Sequence, residues 1–178
     1  MPGGGSQRER NSMETFDDLD DIIYLDSAAT VYPKPETILR SMVELYGRFG
    51  VNPGRSGYDL CVLGGNLVEE TREWLAEFFG GKSPERLCFA YNASDALNIL
   101  INGLVEPGDH VIATTLEHNS VIRPLNHLRR DAGVSVDYLP VASDFRVDPR
   151  DIERAIRPET KLVAVNHGSN VIGTVQPI

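Results

Sequence analysis

Residues 86–115 read RLCFAYNASDALNILINGLVEPGDHVIATT. A short β-rich run, RLCFAY (86–91), gives way to small polar residues and then to apolar residues at helical spacing from Ser94 to Leu104. Pro107-Gly108-Asp109 is turn chemistry, and HVIATT (110–115) is a second β-rich run. Strand, helix, turn and strand in this order make a βαβ unit. The rhythm continues with a helix from about Ser120 to Asp131, a strand VSVDYLP (134–140), a helix opening at Asp148-Pro149 and closing near Arg157-Pro158, and a strand KLVAVNH (161–167). Asp148-Pro149 pairs a capping carboxylate with proline at the first helical position. The alternation predicts an α/β fold, a mainly parallel sheet with flanking helices. A parallel strand normally feeds a crossover helix and another strand. Neither follows KLVAVNH before GTVQPI (173–178), so the domain reads as incomplete at its C-terminus.

Upstream, IIYLD (22–26) reads as a short strand or an extended lead-in. Pro35 to about Phe49 reads as a helix with Ile38, Leu39, Met42, Val43 and Tyr46 on one face. VNPGRSG (51–57) is a loop, and residues 64–79 form a second helix with Leu67, Trp74, Leu75 and Phe78 inward, stopped by Gly80-Gly81. Residues 1–20 read as a disordered leader ahead of the domain at 21–178; the leader has no hydrophobic stretch that would make a secretory signal, and Met13 is an alternative start.

The 178 residues are 41% apolar and 24% charged, the make-up of an ordinary globular domain. A net charge of −9 argues against nucleic acid and against an anionic membrane surface as partners. No apolar run approaches the ~20 residues of a transmembrane helix. Cys61 and Cys88 form no CxxC pair and no metal spacing with the histidines, so no metal is expected and a reducing cytoplasm is the default compartment.

In open α/β sheets ligands bind beyond the carboxyl ends of the strands. Three loops follow strands there: YNASDALN (91–98), TLEHNS (115–120) and NHGSNVIG (166–173), expected to meet in one crevice. Asn92, Ala93 and Ser94 are small and lead into a helix whose first turn has free N–H groups, which suits a phosphate. Ser94 adds a hydroxyl there, or serves only as the N-cap. His118 suits stacking on a flat heteroaromatic ring or proton transfer, or is a plain surface histidine. Asn170 offers an amide to a phenolate-type oxygen, or makes only a local turn.

In order and spacing, YLDSAAT (24–30), NPGRSG (52–57), YNASDALN (91–98), LEHNS (116–120) and SNVIGTVQPI (169–178) resemble the class V aminotransferase family, which includes the cysteine desulfurases. The resemblance covers Ile22 to Ile178 and implies part of the large domain of a fold type I pyridoxal 5′-phosphate enzyme. It implies that Ala93, Ser94 and Asp95 hold the cofactor phosphate, that His118 stacks on the pyridine ring, and that Asn170 meets the ring's 3-hydroxyl oxygen. Ala28, Ala29 and Thr30 would line the substrate pocket, with Asn52 and Arg55 near its mouth. Tyr58 stands where many relatives have histidine. The LEHNS and SNVIG wording is closer to the desulfurase-like branch, which implies an amino-acid substrate such as cysteine and a homodimeric full-length protein.

The family's Schiff-base lysine, and the aspartate that holds the pyridine nitrogen, have no match. Lys34, Lys82 and Lys161 are the only lysines, and all three read as surface residues. Cys88, inside an apolar run, reads as core; Cys61, beside the NPGRSG loop, has an undetermined exposure. The chain is therefore expected to be an inactive portion of such an enzyme. A non-catalytic chain that binds a phosphate ligand or a partner, and an unstable truncated product, are the alternatives. A nucleotide-binding Rossmann domain is disfavoured, because no GxGxxG follows any strand.

Overall fold

The structure, a computed structural model, describes residues 22–178. The expected leader, with Met13, lies outside the described residues. The chain divides into two compact units at Gly50/Val51.

In the first unit residues 22–26 pair with no strand among the described residues. The Tyr24 hydroxyl then donates to the carbonyls of Asp26 and Thr30, both at 3.0 Å, and closes a turn over 24–30. Helix α1 runs Glu36–Phe49. Glu36 in its first turn and Arg48 in its last complement the helix dipole. The exposed pairs Arg40–Glu36 and Arg48–Glu44 add a few tenths of a kcal/mol each at most, by rough precedent. The apolar face is present as the periodicity predicts, but it is exposed: Val43 is 76% and Tyr46 79% accessible.

The second unit begins with the loop 51–57, which Cys61 holds. Its thiol is 1% exposed, donates to the Asn52 carbonyl at 3.0 Å and accepts from the Ser56 N–H at 3.3 Å. Helix α2, Asp59–Phe78, therefore starts earlier than residue 64. It buries Cys61, Gly64 and Ala76, its small residues, while Trp74 and Phe78 are exposed. This corrects the inward placement of those two aromatics; the face that meets the rest of the unit is the small-residue face. At the C-terminus Gly80 takes φ +71°, the Gly80 N–H bonds the Glu77 carbonyl and the Gly81 N–H the Ala76 carbonyl, a Schellman closure that glycine permits at no steric cost.

RLCFAY does not form a strand. Leu87 has extended dihedrals, but residues 87–90 have no ladder partner among the described residues. A strand exists only through a neighbour, and here a side chain substitutes: the Arg72 guanidinium donates to the Leu87 carbonyl and lies 5.0 Å from the centre of the Phe89 ring. Cys88 is consequently exposed rather than core. Native alkylation should label Cys88 quickly and Cys61 only on unfolding; equal rates by peptide mapping would contradict the buried staple.

The sheet is β2-β1-β3, all parallel, with β1 His110–Thr114, β2 Ser135–Leu139 and β3 Thr160–Ala164. All five β1 residues are buried, as befits the central strand. Helices α3 (Ala93–Leu104) and α4 (Asn119–Asp131) pack on each other, and α5 (Pro149–Ala155) is capped by Asp148 through the Arg150 N–H at 2.9 Å, as the sequence predicts. The core joins Ile101 of α3 and Val105 just after it, Val111 and Ala113 of β1, Val121 and Leu125 of α4, and Val134. Burial pushes the Tyr138 hydroxyl above its ordinary pKa, opposed in part by Arg129.

At the amino ends of the strands His110 is fully buried. Its Nδ1 lies 2.9 Å from Thr160 Oγ1, and its Nε2 approaches Asp137 at 3.1 Å without hydrogen-bond alignment. After β3 the chain folds on itself. Gly168 bridges Val175, the Ser169 hydroxyl accepts from the N–H groups of Val171 and Ile172, and buried Gln176 accepts from the Val147 N–H at 2.8 Å and donates to the Phe145 carbonyl at 2.9 Å.

Candidate functional site

Asn92, not Ser94, caps α3: its Oδ1 accepts the Asp95 N–H at 2.9 Å, and the Asp95 carboxylate reaches back to the Tyr91 N–H at 3.3 Å. The reciprocal pair satisfies the helix start without the serine. Ser94 is exposed and its hydroxyl has no hydrogen-bond partner among the described residues. The Asp95 N–H is already used, so a phosphate at this turn would draw on the N–H groups of Ala93 and Ser94 and on the Ser94 hydroxyl.

His118 caps α4. Its Nδ1 accepts from the Ser120 N–H at 3.2 Å and lies 2.8 Å from Ser120 Oγ. With Nδ1 accepting, the proton of the neutral ring sits on Nε2, a tautomer assigned from these bonds. The ring lines two cavities. One, of about 540 Å³, is bounded by Ser94, Asn98 and Asn102 of α3 and by Asn119, Arg123 and His127 of α4. The other, of about 370 Å³, runs along β3 past Leu97, Leu162, Asn166 and His167.

The loop that carries His118 is fixed by Glu117, a residue the sequence reading did not single out. Its carboxylate is 8% exposed and one oxygen accepts from Thr114 Oγ1 at 2.7 Å and from the Asn166 N–H at 2.8 Å. The Asn166 amide nitrogen donates to the Leu116 carbonyl at 3.4 Å. These bonds tie the exit of β1 to the exit of β3, and they end the β3 ladder at Ala164 rather than at residue 167. A glutamate three residues after the last threonine of a buried strand was the available signal.

The structure thus brings Ser94 and His118 to one cavity. Asn166 and His167 of the third loop share the lining of the second cavity with His118, but Asn170 lines neither cavity; it sits exposed in the 168–175 turn. Ser169, not Asn170, makes the turn's side-chain bonds, so the Asn170 amide is left uncommitted among the described residues. Asn52 and Arg55 lie on the loop that Cys61 holds, and Ala28, Ala29 and Thr30 on the turn of the first unit. The Lys34 ammonium donates to Thr30 Oγ1 at 2.7 Å and to the Val31 carbonyl. None of the three lysines lines either cavity. No group of three His, Cys, Asp or Glu among the described residues is placed to hold a metal ion, and no helix among them is long and apolar enough to cross a membrane.

Residues 23–178 match the family described as aminotransferase class-V. A probable cysteine desulfurase of Methanothermobacter thermautotrophicus is 38% identical over 161 residues, 90% of this chain and 40% of that protein. The apo cysteine desulfurase of Thermococcus onnurineus NA1 superposes with a TM-score of 0.80 at 30% identity, over 89% of this chain and 40% of that one. A structure of SspA in complex with cysteine gives a TM-score of 0.76 at 30% identity, over 86% and 44% of the two chains. The chain thus spans about 40% of the length of the relatives it matches, and its three-stranded parallel sheet with flanking helices is part of their fold. With its family match running from Ile23 to the last residue, this chain belongs to the class V aminotransferases, the pyridoxal-phosphate-dependent family that includes the cysteine desulfurases.

Proposed function

We propose that this chain is the N-terminal, cofactor-cradling portion of a desulfurase-like enzyme that acts on an amino acid, cysteine being the first candidate. The observation that carries the reading is the meeting of the Ser94 hydroxyl and the His118 ring on one cavity at the carboxyl side of the sheet. These residues fit pyridoxal phosphate: a free hydroxyl and two free N–H groups suit its phosphate, and an exposed, orientated imidazole suits its flat ring. When bound, the cofactor supplies an electron sink for bond breaking at the substrate's α-carbon.

The chain's own residues bind and orient. Ala93 and Ser94 would donate to the cofactor's phosphate. Ser120 fixes the His118 ring through Nδ1, which leaves Nε2 to carry the proton of the neutral tautomer. Glu117 holds the loop that presents this ring to the sheet. By the family resemblance, Asn170 is assigned to the oxygen of the cofactor's 3-hydroxyl and Asn52 and Arg55, on the loop that Cys61 holds, to the substrate side. The SspA complex with cysteine supports cysteine as the substrate class. A homodimer and a cytoplasmic location complete the proposal for the full-length enzyme.

The isolated chain is inactive on this reading, since no lysine lines either cavity. Intact mass after pyridoxal phosphate and borohydride tests this, with a heat-denatured control. Native and denatured chains should label alike, slowly and at several amines. One pyridoxyl group at a single lysine of the native chain alone would overturn the inactivity. Non-covalent retention of the cofactor should weaken about tenfold in Ser94→Ala, the loss of one charge-assisted hydrogen bond; equal retention would sink the cradle.

A further inference from the structure

Two polar stripes face each other between α3 and α4. Ser94, Asn98 and Asn102 recur every fourth residue on one helix, and Asn119, Arg123 and His127 do so on the other. Together they line the cleft of about 540 Å³ whose upper rim is His118. In a protein of net charge −9, this cleft has one arginine, two histidines and no carboxylate on its walls. Arg123 forms no ion pair among the described residues. Beyond the stripe, one turn past His127, the Asp131 carboxylate lies 3.0 Å from His127 Nδ1, and Arg130 Nη2 lies 3.1 Å from the same nitrogen. That carboxylate is committed to Arg130, which holds it below the usual carboxylate range. The side chains are also pre-set: Asn98 donates to the Ser94 carbonyl at 2.8 Å and Asn102 to the Asn98 carbonyl at 2.9 Å. Each amide keeps a second N–H for a ligand.

We propose that this cleft is a second anion site, where Arg123 and His127 hold the phosphate of a small molecule other than the cofactor. The guanidinium fork supplies paired charged donors, His127 adds a ring N–H, and the asparagine stripe of α3 supplies neutral donors opposite. The cleft is large enough for a phosphorylated metabolite rather than a bare ion. The proposed cofactor cradle shares this cleft at its Ser94 and His118 end; Arg123 lies one turn and His127 two turns further along α4 from Asn119, and the inference rests on those two residues rather than on the cradle.

Inorganic phosphate is the probe, titrated into the chain at fixed pH and fixed ionic strength set by sodium chloride. The readouts are the ring resonances of the four histidines and the amide resonances of Ala93 and Ser94. The His127 resonance should move saturably, with a midpoint on the order of millimolar for so small a ligand. Arg123→Gln should raise that midpoint about tenfold, the worth of one charged hydrogen-bonded contact, and Arg123→Lys by less. Acetate should need a several-fold higher concentration; an equal response to acetate would overturn the assignment to phosphate. A linear, non-saturating shift would overturn the site, as would a midpoint unchanged in Arg123→Gln. If Ala93 and Ser94 alone carry a saturable shift that Arg123→Gln leaves intact, phosphate sits at the opening turn of α3. In that case the cofactor reading stands and the second site is wrong. Arg123 is exposed, and an unchanged melting temperature confirms that its variants are folded.

Discussion

Glu117→Ala is expected to lower the unfolding free energy of the second unit by about 2–4 kcal/mol, because it strands two groups that each cost about 1–3 kcal/mol when buried without a partner. Those groups are the Thr114 hydroxyl and the Asn166 N–H, both bonded to one Glu117 oxygen. Urea denaturation measures the effect. Glu117→Gln keeps an amide oxygen where the carboxylate oxygen was and removes a buried charge that has no cationic partner among the described residues. It should fall within about 1 kcal/mol of the parent, in line with the near-neutral replacement of a buried charge by a neutral group that keeps its bonds. If the alanine variant melts with the parent, Glu117 does not join the exits of β1 and β3. The same variant should broaden the His118 resonance, since the loop presenting that ring loses its anchor.

The second large effect is expected at Leu125→Ala. Leu125 is fully buried on α4, between the helix pair and the sheet. Truncating a leucine in such a place costs about 2–5 kcal/mol, transfer energy plus the cavity left behind. Pro124, beside it, deprives α4 of one backbone hydrogen bond, so the helix relies on its packed face more than its sequence length implies. Urea melts should show a lower midpoint with an unchanged slope. A loss below about 1 kcal/mol would mean that α3 and α4 close over the gap, which well-packed interiors rarely do.

The βα rhythm was legible from residue 93 onward because each signal there is local. Asp148-Pro149 caps α5 by a bond within three residues, and the β1 run is apolar at every position because both its faces are covered. RLCFAY carried the same β pattern and still gave no strand, since pairing depends on a distant neighbour that no local pattern encodes. Trp74 and Phe78 were misplaced for a related reason, since periodicity says that a helix has an apolar face, not which face meets the core; Cys88 is exposed because its run found no strand partner. In the candidate site, the rule that ligands gather at the carboxyl ends of strands located Ser94 and His118 on a common cavity. Their local duties were less legible. Asn92 and Ser94 are equally good caps on paper, and Asn92 holds the role through a three-residue reach. Glu117 escaped notice because its partners are Thr114, three residues back, and Asn166, forty-nine residues ahead.

The order β2-β1-β3 has a consequence for how this polypeptide is made. The central strand gains its second neighbour only when β3 appears, fifty residues downstream of β1. At ~5–20 residues per second, a ribosome needs roughly 3–10 s to supply that stretch. Throughout that interval one edge of β1 offers unpaired N–H and C=O groups flanked by Val111 and Ile112, a template for pairing with a neighbouring nascent chain. Growth temperature and translation rate should therefore govern the yield of soluble chain more strongly than the stability of the finished sheet does.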